Sequence, residues 1–355
     1  MGVACGVHVR SIALIFCVLA ASAAAVAADL TADQAYELVV QKPWAPKPPP
    51  KQEDLAAARK ALENAAAKQP ASARWTFALA HHATLESRYL KDDAGKDKRE
   101  AATELFAKAA ELEPTNADYQ YWLGDSSFDR VDDVGMLKQM SLASQGRKAL
   151  EKAIALDPNH VGAHYGLGQF LFQAPGIAGG SVEKAKKEGE TLLAIPGGKG
   201  AYMGNMLLAE IAAKAQDWVE MSRRYNAAET CGGEGADPPS AMRSQLGYLI
   251  GMKKDFKAAQ PVIERYLKVA SPDDMTAIFL DGEVKRQLGR CADALPRYQQ
   301  VLTKNPGAQN SRWGSAVCHE SVGDKVAARR DYEEFLKRFP KDDRAKDAKE
   351  ALKRL

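Results

Sequence analysis

The sequence predicts an all-α fold built as a solenoid of stacked antiparallel helix pairs. Three observations predict it. PASARWTFALA from Pro70, PTNADYQYWLG from Pro114 and PNHVGAHYGLG from Pro158 superimpose without gaps, 44 residues apart each time. Nearer the C-terminus the period is 34 residues: it separates Pro272, Pro306 and Pro340, Gly289 and Gly323, Ala294 and Ala328, and Tyr298 and Tyr332. Between the prolines each unit reads as two amphipathic helices joined by a turn. A small residue lets the helices approach, an aromatic fills the space between units, and a proline stops the second helix. A fixed period of this size marks repeat architecture.

Taken in order, residues 1–27 carry one charge, Arg10, then the apolar run Ile12 to Ala20, then small residues ending Ala25-Val26-Ala27. That order is the pattern of a cleavable secretory signal. Phe16 before Cys17 is too bulky for a lipoprotein signal, and no later segment is apolar enough to span a bilayer. The expected location is periplasmic or secreted. Residues 28–50 form an N-terminal helix and linker: TADQ (31–34) supplies a Thr-x-x-Gln capping box, and KPWAPKPPPK (42–51) is stiff and extended. Residues 51–68, with Ala58, Leu62 and Ala65, form a lone second helix capping the array, which runs over 51–340. The charged segment 341–355 closes it, since an array needs polar ends.

Loss of residues 1–27 takes the formal charge from +3 to +2, which gives no electrostatic case for nucleic acid or anionic membrane. The charged stretches 91–100 and 341–355 mix both signs and read as solvated loops or helix faces. Cys231, Cys291 and Cys318 remain after the leader is removed, so at most one internal bridge can form.

The 34-residue pattern resembles the tetratricopeptide repeat family. A leucine-small pair marks the first helix (Leu79-Ala80, Leu123-Gly124, Leu167-Gly168). Glycine, alanine and an aromatic mark the second: Gly289, Ala294 and Tyr298, then Gly323, Ala328 and Tyr332. Ala102, Phe106 and Ala109, and Leu150 with Ala153, match the earlier second helices; Leu208-Ala209 with Tyr225, and Leu246-Gly247 with Phe256 and Ala259, only approximate the pattern. The resemblance covers about seven units and implies a right-handed superhelix. The 44-residue units depart from it by about ten extra residues between first and second helix, expected to project from one edge. The third extra piece is APGIAGGS (174–181). Its Pro175, Gly179 and Gly180 before Lys184-Ala185 also resemble the T component associated with TRAP-type solute transporters.

Glycines running into a helix raise the question of a phosphate loop. APGIAGGS lacks the lysine and the strand context of one, and PGGKG (196–200) fails too, so a joint capped by Ser181 is expected. His160 and His164 share a helix face at i,i+4 but have no H-E-x-x-H glutamate and no third ligand near in sequence. No nucleophile motif appears, and no catalytic residue, metal or cofactor is expected. Cys291 opens a second helix and Cys318 lies late in the next first helix, so in an antiparallel stack their ends could be close. The sequence leaves open a Cys291–Cys318 bridge, with Cys231 free, or three thiols.

In the tetratricopeptide family, first-helix positions on the concave face hold a partner. Carried over, these are Phe77, Tyr121, Tyr165, Met206, Phe279 and Trp313, and one turn later His81, Asp125, Gln169, Glu210, Glu283 and Val317. An apolar contact beside a hydrogen-bonding group suits peptide recognition; the competing role for each aromatic is packing between helices. The expected function is a non-catalytic exported scaffold for a protein or peptide. The alternative is a transporter accessory that takes a small solute into a closed, largely apolar pocket.

Overall fold

The structure, a computed structural model, describes residues 30–40, 50–233 and 235–355. The leader at 1–27 and most of the Pro-rich segment 42–51 lie outside the described residues. Seventeen α-helices and no strands occur among the described residues, in two compact units that meet at Gly200/Ala201.

The first unit contains α1 (Ala32–Val39), α2 (Gln52–Lys68), α3 (Ala73–Ser87), α4 (Asp92–Leu112), α5 (Ala117–Asp129), α6 (Met136–Leu156), α7 (Val161–Gln173) and α8 (Val182–Ala194). The repeated proline sets where each first helix begins. Two residues after it stand Ser72, Asn116 and His160, and each side chain accepts a hydrogen bond from a first-turn amide, of Trp75, Tyr119 and Ala163 respectively. Capping satisfies donors that the helix itself leaves unpaired. The pairs α3–α4, α5–α6 and α7–α8 then pack through small residues: a Cβ on Gly124 would lie 2.7 Å from the Leu150 side chain of α6.

The predicted capping box is present: Thr31 accepts from the Gln34 amide, and the Gln34 side chain accepts from the Thr31 amide. Contrary to expectation, α2 is not alone at this end. Helix α1 buries Ala35 and Val39 in one cluster with Leu55, Leu62 and Trp75. The Arg74 guanidinium lies over the Tyr36 and Trp75 rings, 4.6 and 4.5 Å from their centroids, and reaches Asp33 at 2.7 Å.

The extra residues of the 44-residue units do not form loops between the helices. They lengthen the second helix: α4 and α6 have 21 residues each. The stretch 91–100 is rich in helix-forming charged residues, and Asp92 and Asp93 sit at the positive end of α4. In the second long unit the chain takes one short 3-10 turn, Val131–Asp133, before α6.

The stretch 174–181 is a joint, as expected. Helix α7 stops at Gln173, Gly176–Ala178 make a 3-10 turn, and Ser181 caps α8 by accepting from the Lys184 amide. Gly179 has φ +96°, and a Cβ on Gly180 would sit 1.8 Å from the Ala174 carbonyl oxygen, so both positions require glycine. Ile177 at the tip is 96% exposed.

The second unit contains α9 (Gly198–Lys214), which begins just before it, α10 (Trp218–Thr230), α11 (Pro238–Gly247), a π-turn at Tyr248–Lys253, α12 (Phe256–Val269), α13 (Met275–Gln287), α14 (Cys291–Lys304), α15 (Gln309–Ser321), α16 (Lys325–Arg338) and α17 (Ala345–Arg354). Its second helices bury Tyr225, Tyr266, Tyr298 and Tyr332 completely. Three of these phenols donate to carboxylates: Tyr266 to Asp274 at 2.7 Å, Tyr298 to Glu283 at 3.0 Å and Tyr332 to Glu320 at 2.7 Å. The turn into the second helix is left-handed at Gly289 and Gly323, and at Gln216 and Lys254. Where the glycine signal is missing, the conformation survives with a side chain forced into it. Helix α17 closes the unit, packing Ala348 and Ala351 against Ala316, Tyr332 and Phe335.

Candidate interaction face

Helices α3, α5 and α7 carry the carried-over pairs of the first unit. Helical geometry does place each pair on one face, one turn apart. Packing then separates them. Phe77 (3% exposed) and His81 (0%) are core residues, not groove residues. The His81 ring stands edge-on to Phe77, Phe106 and Trp122, with centroids 4.6, 5.1 and 4.4 Å away. Nothing outside the fold can grip it. The reason is local: α1 and α2 fill the N-terminal side, while Phe106 and Trp122 close the other.

Tyr121 is also mostly covered. Its ring packs on Trp122 and His160, at 5.2 and 5.1 Å, and its hydroxyl donates toward Asp125 at 3.5 Å. Asp125 itself is half-buried, and Asp129, one further turn along, is exposed. Burial and then the Asp129 carboxylate raise the Asp125 pKa to about 7, against the opposing effect of the Tyr121 hydrogen bond. On α7, Tyr165 and Gln169 are half-buried and Gln173 is exposed. The Gln169 amide donates to the Tyr165 hydroxyl at 2.9 Å, and the Gln173 amide donates to the Gln169 carbonyl at 2.7 Å. Phe128 and Phe170 stack at 5.1 Å between the same two helices. The sequence reading missed Asp129, Gln173, Phe128 and Phe170. Continuing the i,i+4 ladder one more turn, from 125 to 129 and from 169 to 173, would have found the first two.

In the second unit the proposed row is taken up by the fold. Met206 is buried and Glu210 half-buried on α9. Phe279 packs on Tyr298 at 6.4 Å. Glu283 accepts from Arg286, Gln287 and Tyr298; burial opposes its ionisation, but these donors outweigh it and hold the carboxyl below its usual range. Trp313 rests on Tyr332 and Phe335, at 5.7 and 5.3 Å, and the Arg344 guanidinium covers it at 5.4 Å. Val317 joins the same cluster. Phe279, Glu283, Trp313 and Val317 are each half-buried, with one side engaged by neighbouring helices.

The two histidines at i,i+4 are committed separately. His160 Nδ1 accepts from the Ala163 amide and its Nε2 pairs with Asp118 at 3.0 Å. His164 Nδ1 pairs with Glu188 at 2.7 Å, and its Nε2 lies 3.0 Å from the Pro158 carbonyl oxygen. Among the described residues no three His, Cys, Asp or Glu side chains converge as a metal site.

Residues 279–343, from α13 to the start of α17, match the sequence profile of the tetratricopeptide repeat family. Over this segment the helix pairs are similar to tetratricopeptide repeats. Residues 50–177 match a different profile, that of regulator of microtubule dynamics proteins 1–3. A search of curated proteins finds no significant match. Among solved structures the chain is similar to YrrB, a TPR protein described as having an unusual peptide-binding site: 16% identity, 70% of this chain and 99% of that one, TM-score 0.39. A tetratricopeptide repeat protein from Parabacteroides merdae gives 15% identity, 84% and 91% coverage, and TM-score 0.38. Yeast Tom70 gives 16% identity, 78% and 62% coverage, and TM-score 0.48. Likenesses this distant transfer no binding site. The repeat assignment rests on the profile match and on the helix pairs themselves.

Proposed function

We propose that the chain is a non-catalytic scaffold, exported to the periplasm or beyond, that holds a protein or peptide partner on the first-helix face of its first unit. Tetratricopeptide repeats generally serve protein interaction, and the leader composition at 1–27 supports export. What supports this face is that α5 and α7 present Asp125, Tyr165 and Gln169 half-buried and Asp129 and Gln173 exposed, whereas the half-buried Glu283 and Trp313 of the second unit are engaged by Arg286, Tyr298 and Arg344. Aromatic surface beside directional polar groups is what peptide recognition uses. The carboxyls favour a partner offering amide or basic groups. No partner is carried over from the microtubule-regulator match.

A small solute gains no support from the groove on this face. A groove of about 530 Å3 on the α5–α6 pair, lined by Gln120, Ser141, Ser144, Gln145, Lys148 and Lys152 beside Leu123 and Ala149, is open to solvent and not an enclosed pocket.

Cross-linking with mass spectrometry in the native exported fraction tests the proposal, comparing wild type with the double variant Tyr165→Ala, Gln169→Ala. The expected result is a protein cross-linked through α5 and α7 that is lost in the variant. Equal capture by a variant with unchanged helical content would refute this face.

A further inference from the structure

We infer that Cys291 and Cys318 are an oxidative modification site, joined by a disulfide when the folded chain meets a thiol oxidant. Cys291 is the first residue of α14, and Cys318 lies in the last turn of α15. The antiparallel stack brings these two ends together. Both side chains are buried in one cluster with Ala294 and Tyr298, packed by Phe279 and Leu295, and the two thiols are hydrogen-bonding neighbours. Both are thiols in this structure. Cys231, at the end of α10, belongs to no such cluster; it is half-buried and donates to the Ala227 carbonyl at 3.2 Å.

The pair is held from both sides. The Tyr298 ring fills the cluster and its hydroxyl is anchored on Glu283, which Arg286 also engages. Neither cysteine is therefore at a free loop tip, and both sulfurs lie in one buried cluster. A bridge would tie the second helix of one repeat to the first helix of the next, closing the interval 291–318.

The chemistry needs an external disulfide, for which oxidised glutathione serves. Cys291 is the less completely buried of the two. Its thiolate attacks one sulfur of the donor, forming a mixed disulfide and expelling one glutathione thiolate. Cys318, after losing its proton, attacks Cys291 Sγ and expels the second. Two protein thiols are oxidised, one small disulfide is reduced to two thiols, and the two protein protons end on them. Burial and the neighbouring Cys291 thiol push the Cys318 pKa well above its ordinary value, so the second step is slow in the closed cluster. Opening of the α14 start, or folding itself, speeds it.

The bridge is expected where exported chains meet oxidants, but the inference does not depend on the partner face. Purified chain comprising residues 28–355 is equilibrated with oxidised and reduced glutathione at several ratios, quenched with acid, alkylated and digested. Under oxidising ratios the 291 and 318 peptides should be linked, with the intact mass about 2 Da lower per bridge. Cys231 should be alkylated or carry glutathione. Cys231→Ser should keep the bridge, and Cys318→Ser should abolish it while leaving Cys231 chemistry unchanged. Reduction should shift the unfolding midpoint down in wild type and Cys231→Ser only. Thiols at 291 and 318 that stay unlinked at ratios that glutathionylate Cys231, or a bridge from Cys231 to either, would overturn the inference. Neither result would touch the partner-capture test, which reads α5 and α7.

Discussion

Replacing Gly314 by alanine builds one methyl group against the side of a buried ring. The new Cβ would lie 2.3 Å from Tyr298 Cζ and 2.7 Å from both Cε atoms, all well inside ordinary contact. The ring has little room to retreat: Tyr298 is fully buried, Phe279 packs on it, and its hydroxyl is fixed to Glu283 at 3.0 Å. Overpacking of this kind costs about 1–3 kcal/mol, and a rigid neighbour puts the cost near the top of that range. Alanine in place of glycine inside a helix returns about 1 kcal/mol. The steric term wins, and a net loss of about 2 kcal/mol is expected. Stability in a repeat array is distributed between neighbouring units, so the readout should be local. Amide hydrogen exchange in increasing urea, read on the peptides that cover α14 and α15, provides one. Gly247→Ala is the control: its Cβ meets nothing within 4 Å in right-handed helical backbone, so a gain of about 0.5–1 kcal/mol is expected. In a Tyr298→Leu background Gly314→Ala should cost much less than it does alone. A Gly314→Ala protein as stable as wild type, or a cost unchanged by Tyr298→Leu, would refute the reasoning.

Other perturbations have equally definite outcomes. Lys254 holds φ +55° at a turn where Gly289 and Gly323 sit in the later repeats, so Lys254→Gly should stabilise by about 0.5–1 kcal/mol in chemical denaturation. Burial works against a charged His164, but the Glu188 carboxylate and the Pro158 carbonyl outweigh it and raise its pKa. Its stabilising contribution is therefore full below the unfolded value of about 6.5 and is lost as pH rises through the folded value. Glu188→Gln should destabilise at pH 5.5 much more than at pH 9, and NMR titration should find the His164 pKa lowered in that variant. Asp125 has the opposite consequence, since its raised pKa means the folded state holds the proton more tightly. Wild type should lose stability as pH climbs from about 4 toward 7. Asp125→Asn should match it at pH 4 and exceed it at pH 8, measured by thermal unfolding across that range.

Much of the fold was legible because its determinants are local. The repeated proline, a cap two residues later, and the leucine-small pair fix where each first helix begins and which side faces its partner. The Thr31/Gln34 box and the Ser181 cap follow from residues within one turn of each other. The joint at 174–181 was readable for the same reason, and the structure adds why Gly180 is required there. The lengthened α4 and α6 were not readable from spacing, because a ten-residue insertion at a helix joint has the same length whether it loops or coils. The turns at Gln216 and Lys254 were hidden because the backbone hydrogen bonds of Asp217 to Ala212 and of Asp255 to Leu249 close them left-handed without the glycine that normally announces such a turn.

The candidate face was half legible. Spacing by four assigned Tyr121 with Asp125, and Tyr165 with Gln169, to one side of their helices. It could not tell that the same spacing in α3 puts His81 among Phe77, Phe106 and Trp122, or that Arg344 lies over Trp313. By itself the sequence determined the all-α repeat, its period, its caps and the side each residue occupies on its own helix. Only the tertiary structure decided which of those sides stay open, because exposure depends on side chains 25 or more positions away in the chain whose arrival no local pattern records.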